Sequence, residues 1–390
     1  MSFLDLIKRY ESTVLDERLG SIVKKDIERI LSQDTLTPAQ FLALLSPVAT
    51  DYLEDMAEKA HRVTLKNFGK AIHLYTPMYI SNYCDNHCIY CGFNASIKRP
   101  RRILTMDELD TEARYIADTG LKNILVLTGS SRAKSSLLYI KDSIRVLKRY
   151  FSSISIEIYP LTGQEYQELI DEGVDGLTIY QETYNRTIYD EVHLMGPKKD
   201  YFFRLDAPER ALRKKMRVVN IGALLGLSNW REDGFYSGLH AKYLQDKFPE
   251  AEIGISVPRI SPQTDEYIPK HEVTDMDITQ LILAFRLFLP RIGITLSTRE
   301  SSQLRDNLLP LGVTKISADS TTVVGGHTAD ILEAKTEQFP IYDKRSVSEI
   351  RNFLLSRGYQ PVLKDWINTD QERFSSTSAC AQEPFLRQRQ

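Results

Sequence analysis

Cysteine is scarce in this chain of 390 residues, and three of its four copies fall within eight positions, as Cys84-Asp-Asn-His-Cys88-Ile-Tyr-Cys91 before Gly92-Phe93. Only Cys380 lies elsewhere, so no disulfide framework is available, in keeping with a reducing compartment. An excess of one charge is also lacking. A formal net charge of −2 gives no electrostatic reason to expect nucleic acid or an anionic membrane as partner. Long hydrophobic runs are missing too: stretches such as 124–127 and 281–285 are far too short to span a bilayer. The opening Met-Ser-Phe-Leu-Asp-Leu-Ile-Lys-Arg is amphipathic and has no signal-peptide h-region, which predicts a cytoplasmic protein.

What is present is a metal-ligand pattern. Thiolates at C-x3-C-x2-C supply three soft ligands from one short loop, which suits iron–sulfur chemistry and leaves one metal position without a protein ligand. Cysteines at i, i+4 and i+7 could instead share a buried helix face, but Asp85, Asn86 and His87 are poor core companions and Gly92 would end the helix at once. His87 could complete a Cys3His zinc site, yet structural zinc usually recruits two separated ligand pairs and no second pair exists. A simple iron–sulfur electron carrier would use four thiolates per cluster, and only three lie together.

Around this loop, short β-rich runs alternate with amphipathic helices, the pattern of a parallel α/β fold. Eight strands are predicted, at 72–80, 123–127, 155–159, 176–180, 218–224, 252–257, 293–296 and 314–317. Thr105 with Glu108, Thr162 with Glu165, and Asp206 with Glu209 have capping-box spacing, and Gly120 and Gly173 stand where helices should stop. Eight strands with crossover helices predict a (β/α)8 barrel of TIM type, with chemistry at the strand C-terminal ends; an open doubly wound sheet is the alternative. The predicted organisation is an N-terminal helical extension over 1–70, the barrel over 71–345, and a C-terminal helix and tail over 346–390. In the extension, Thr37-Pro38-Ala39-Gln40 starts a helical pattern that runs to Gly69 and is placed to cap the barrel's end. The last helix begins near Ser346 with Glu349 at N3, and beyond Asp370 the chain is polar and serine-rich, as mobile tails are.

The strand ends are polar for such short loops: Thr128-Gly129-Ser130, Glu157 with Tyr159, Gln181-Glu182-Thr183, Gly226-Leu-Ser228, Pro258-Arg259, Ser297-Thr-Arg299-Glu300 and Ser317-Ala-Asp319-Ser320. Converging on one rim, they describe a ligand pocket.

The cysteine run followed by Gly-Phe on the first loop of an α/β barrel resembles the radical S-adenosylmethionine (SAM) enzymes. Longer stretches resemble, within them, the tyrosine lyases of anaerobic thiazole (thiamine) biosynthesis, the 2-iminoacetate synthases. These are Leu44-Leu-Ser-Pro-Val-Ala, Met78-Tyr-Ile-Ser-Asn-Tyr-Cys84, Tyr180-Gln-Glu-Thr-Tyr184, Leu296-Ser-Thr-Arg-Glu-Ser301 and Lys364-Asp-Trp366, in collinear order. The resemblance implies that Cys84, Cys88 and Cys91 hold a [4Fe–4S] cluster whose fourth iron is chelated by the amine and carboxylate of SAM. The methionyl ammonium wants an anion and its carboxylate a cation, which the resemblance matches to Glu182 and Arg204. Tyr90 and Phe93 are placed beside the adenine, with Thr128, Gly129 and Glu157 as further cofactor contacts. Ser130 departs from the acidic residue that relatives often carry there; the change matters little if the segment meets the SAM amine through backbone carbonyls, and puts more of the load on Glu182 if the acid matters.

For the substrate, Ser297 and Arg299 offer a hydroxyl and a planar guanidinium two residues apart, on one face of a strand end, and the resemblance assigns them to the carboxylate of L-tyrosine. Tyr79, Arg259, Ser317 and Asp319 are further pocket candidates. The implied reaction breaks the Cα–Cβ bond of tyrosine to give 2-iminoacetate (dehydroglycine) and p-cresol, with 5′-deoxyadenosine and methionine from SAM. Thiazole synthase and a flavodoxin or ferredoxin-type reductant are the implied partners. Among relatives, the hydrogenase maturase needs further cysteines for a second cluster, whereas tyrosine-using deazaflavin enzymes and a tryptophan lyase differ in pocket shape.

Overall fold

The computed structural model describes residues 2–11, 15–260, 267–328 and 337–364. The expectations for Trp366, Cys380 and the tail from Asp370 fall outside them. Strands β1 (Ala71–Tyr75), β2 (Pro77–Ser81), β3 (Asn123–Thr128), β4 (Ser153–Glu157), β5 (Gly176–Thr178), β6 (Val218–Gly222), β7 (Glu252–Ser256), β8 (Gly293–Leu296), β9 (Lys315–Ser317) and β10 (Gln360–Val362) form one sheet, in the order β10-β1-β9-β8-β7-β6-β5-β4-β3-β2. Every pairing is parallel, as crossover helices require.

The predicted first strand is two. β1 pairs with β9, β2 pairs with β3, and Thr76 alone separates them, so the chain itself joins the two sides of the sheet. The sheet therefore curls into a TIM-type α/β barrel whose seam runs through Thr76. At the N-terminal end of the seam β10 pairs with β1, and Leu363 O accepts from Lys122 N at 2.9 Å. Pro361 reads against a strand in the sequence, but β10 is an edge strand, where a missing N–H donor is tolerated.

Thr37, Thr105, Thr162 and Ser346 each cap a helix reciprocally with the Gln or Glu three residues on. Asp206 does not: its side chain makes no cap hydrogen bond. Glu209 is drawn instead to Lys247 Nζ at 2.8 Å and Tyr243 OH at 2.5 Å, because ion pairing across helices outweighs the local cap. Gly120 and Gly173 end their helices with φ of +96° and +118°. The N-terminal helices lie along the barrel's outer helices. Gln280 Nε2 donates to Leu44 O and Ser46 O at 2.9 Å each, Phe3 stacks on His240 at 4.0 Å, and Phe68 reaches the N-terminal mouth of the barrel. Among the described residues no helix is long and apolar enough to cross a membrane.

Candidate active site

A cavity of about 1060 Å³, counting the space at its open mouth, lies at the C-terminal ends of the strands. Its wall includes Cys91, Tyr79, Tyr90, Glu157, Glu182, Ser297, Arg299 and Ser317 from the predicted set, and Lys198, Gln338 and Phe339 from outside it. Tyr75, Leu125 and Tyr180 separate it from a second space of about 860 Å³ inside the barrel.

The cysteine loop leaves β2 and is held by what packs on it. Asp85 N donates to Ser130 O at 3.0 Å, and Gly129 comes so close that a Cβ there would stand 2.3 Å from Tyr83 O. On its other side lies the strap 192–199: His87 N donates to Met195 O at 2.9 Å, Ile89 N to Val192 O at 3.1 Å, and Lys198 N to Asn86 Oδ1 at 2.8 Å. Gly196, at φ +97°, leaves no room for a Cβ against Asp85 O. Buried His193 accepts no charge: burial, with Lys198 nearby, pushes its pKa down to about 3, and its ring joins Tyr90 OH at 2.7 Å to Tyr189 O at 2.8 Å.

The donor set fits a cluster. N–H groups point at two of the sulfurs: Asn86 Nδ2 is 3.6 Å from Cys84 Sγ, and Phe93 N and Gln338 Nε2 are 3.4 and 3.6 Å from Cys91 Sγ. Burial pushes the Cys88 thiol up to about 12, so a cation must replace its proton before it ligates. Thr128 Oγ1, at the end of β3, is buried without a hydrogen-bond partner among the described residues. His87 Nδ1 pairs with Ser96 Oγ at 2.5 Å. Among the described residues no three His, Cys, Asp or Glu side chains converge on a single ion, and a cluster, which binds each thiolate to a different iron, needs no such convergence.

Glu182 sits beside the loop in the left-handed region at φ +73°, a conformation that costs a residue with a Cβ roughly 1 kcal/mol. Leu224 N holds its carbonyl at 2.7 Å, and its Oε1 receives Lys198 Nζ at 2.6 Å and Arg204 Nη2 at 3.1 Å. Burial works to raise this carboxyl, but the Lys198 and Arg204 charges overcome it and hold it below the usual range. Arg204 Nε also donates to Tyr180 O at 2.6 Å, so of the two cations at Glu182 it is Lys198 that lines the cavity, and Arg204 braces Glu182 from behind. Nothing in the spacing of Lys198 ties it to cysteines more than a hundred residues earlier. The carboxyl of Glu157, at the end of β4, makes no hydrogen bond or ion pair among the described residues. Burial and the nearby Glu182 push it up to about 7 against the pull of Arg299.

Across the cavity Arg299 lies 3.3 Å over the Phe339 ring, with no carboxylate partner among the described residues. Ser297 Oγ accepts from Arg299 N at 3.4 Å, Ser317 Oγ accepts from Thr298 N at 3.0 Å, and Tyr79 OH donates to Gln338 Oε1 at 2.7 Å.

Besides Arg204, Thr128 and Gly129, three further predicted pocket residues lie off the cavity wall. Arg259 is spent on Glu300, at 3.1 and 2.6 Å, on Asp275 Oδ1 at 2.6 Å and on Val273 O at 2.8 Å. Asp319, at φ +49°, does not line the cavity; its carbonyl receives Thr76 Oγ1 at 3.1 Å and faces His327 Nε2 at 2.8 Å at the seam. Phe93 is buried edge-on against Tyr79, with ring centroids 5.9 Å apart.

The profile of the Radical SAM superfamily matches residues 78–234, and that of the Biotin and Thiamin Synthesis associated domain matches 256–360. The chain is 37% identical to a 2-iminoacetate synthase of Salmonella typhimurium over 94% of its own length and 97% of the relative's. It is 38% identical to that of Escherichia coli over 90% and 92%. The solved structure of the FeFe-hydrogenase maturase HydG from Carboxydothermus hydrogenoformans superposes with a TM-score of 0.85 at 30% identity, covering 93% of this chain and 84% of that one. With three cysteines on the first barrel loop, a paired acid beside them and this extent of likeness, the chain belongs to the 2-iminoacetate synthase family of radical SAM enzymes.

Proposed function

We propose that this cavity binds SAM at the cysteine loop and L-tyrosine against Arg299, and that the chain breaks the tyrosine Cα–Cβ bond to give 2-iminoacetate and p-cresol. The observation that carries the substrate assignment is the Arg299 guanidinium, unpaired among the described residues on the wall of the cavity that Cys91 also lines. Its flat fork matches a carboxylate bidentately, and Phe339 beneath restricts its orientation. Cys84, Cys88 and Cys91 would hold a [4Fe–4S] cluster, which when bound supplies the electron that splits SAM into methionine and a 5′-deoxyadenosyl radical.

The remaining work falls to side chains. Glu182, kept ionised by its two cations, receives the methionyl ammonium, and Lys198 offers a cation to the methionyl carboxylate. Glu157, with unoccupied acceptor oxygens, lines the cavity, where a ligand's hydroxyls can donate to it. Tyr90 borders the cluster side of the pocket, and Tyr79, Ser297 and Ser317 shape the substrate side. Thiazole synthase as the consumer of 2-iminoacetate, a flavodoxin or ferredoxin-type reductant and a cytoplasmic setting complete the reading.

The test is anaerobic reconstitution with iron and sulfide, then incubation with SAM, tyrosine and a reductant. p-Cresol and 5′-deoxyadenosine should appear together. Deoxyadenosine without p-cresol would sink the tyrosine-lyase reading, and cyanide or carbon monoxide among the products would point to maturase-type chemistry.

A further inference from the structure

We propose that Gln338 is a positioning residue that raises the reduction potential of the cluster through Cys91 and ties the cysteine loop to the substrate wall. This rests on the reading of the three cysteines as cluster ligands. Gln338 touches the cysteine loop at two points and the strand before it at a third. Its Nε2 donates to Cys91 Sγ at 3.6 Å, its Oε1 accepts from Tyr79 OH at 2.7 Å, and its carbonyl accepts from Gly92 N at 3.3 Å. The approach is built into the chain, because a Cβ on Gly92 would stand 2.5 Å from Gln338 O and 2.8 Å from Glu337 O.

The orientation of the amide follows from its neighbours. An iron-bound thiolate carries no proton and can only accept, while a phenol at neutral pH has one to donate, so the nitrogen faces sulfur and the oxygen faces Tyr79. Hydrogen bonds to cluster sulfurs tune the potential. Donation into the thiolate stabilises the more negative, reduced state most, so the Gln338 contact pulls the potential upward. Of the two donors at Cys91 among the described residues, Phe93 N is backbone and Gln338 is the side chain.

The next residue reaches the other end of the site. Phe339 lies under Arg299, its carbonyl accepts from Thr322 Oγ1 at 2.9 Å, and Tyr342 N donates to Thr298 O at 3.0 Å. Adjacent residues thus contact a cluster cysteine and the carboxylate clamp.

A redox titration of the reconstituted enzyme, followed by electron paramagnetic resonance without SAM, tests this. In Gln338→Leu the ratio of reduced to oxidised cluster at a fixed solution potential should fall up to about tenfold, equal to about 59 mV for a one-electron couple. Gln338→Glu keeps the volume but sets an acceptor against sulfur, so its potential should fall further. Tyr79→Phe keeps the donor and should move it less than either. Midpoints equal to wild type in both Gln338 variants, at wild-type iron and sulfide content, would overturn the role. If both variants lost iron while keeping the wild-type circular dichroism, Cys91 would be shown to depend on this side chain. A wild-type chain that takes up no cluster would overturn the underlying functional reading itself.

Discussion

Arg299 and Arg259 lie close together in the fold yet do opposite work. Arg259 meets Glu300 bidentately and adds Asp275, whereas Arg299 meets an aromatic face and the cavity. A guanidinium with no carboxylate bonded to its fork is costly at a partly buried site unless a ligand supplies the anion. Arg299→Lys should therefore lower kcat/KM for tyrosine by about 2 kcal/mol, roughly 30-fold, since an ammonium loses the fork. Steady-state p-cresol formation checks this, and an unchanged KM for tyrosine would place the carboxylate elsewhere. Glu157 offers a pH test. Its pKa is raised from 4.5 to about 7, so its contribution to stability is fully present below pH 4.5 and is lost as pH rises through 7. In cluster-free protein, the unfolding free energy of Glu157→Gln relative to wild type should rise by roughly 3 kcal/mol between pH 4.5 and pH 8. Denaturant titrations at the two pH values read it, and a flat difference would mean an ordinarily solvated carboxyl.

The cysteine loop has almost no regular structure of its own. Its shape is imposed from one side by Gly129 and Ser130, from the other by the strap 192–199, and from above by Gly92 against Gln338. Gly129→Ala should leave the barrel's far-ultraviolet circular dichroism intact but cost most of the iron taken up on reconstitution, because a Cβ 2.3 Å from Tyr83 O must push the loop away. Full iron retention would show that the loop tolerates the shift. The cysteine run, the capping boxes at Thr37, Thr105, Thr162 and Ser346, and most of the polar strand ends were legible in the sequence because each lies within a few consecutive residues, whereas the box expected at Asp206 did not form. Lys198, His193 and Gln338 were not, because contact with the cysteines comes only from packing between distant elements.

The barrel closes through Thr76, and segments remote in sequence seal the seam: β10 at one end, and at the other the turn around Asp319, whose N–H donates to Arg345 O at 3.0 Å. Arg305 and Asp343, each 1% exposed, pair beneath this region, and Arg305 also donates to Ser317 O, which binds the chain after 337 to β9. Asp343→Ala leaves that guanidinium buried without its main counter-charge and should cost about 3–5 kcal/mol of stability. Thermal unfolding measures it; a cost below about 1 kcal/mol would mean that carbonyl contacts alone satisfy Arg305.

Local order along the chain was enough to set the alternation of strands and helices, most helix starts and the spacing of three thiolates, since these depend on backbone periodicity and neighbours a turn away. Three-dimensional packing alone decided where the ring closes, that a proline-containing segment serves as an edge strand, and which polar groups remain free for ligands. Arg204, Arg259 and Arg299 look alike in one dimension. Charge pairing acts through space, so only the positions of Glu182 and Glu300 leave Arg299 open to the cavity.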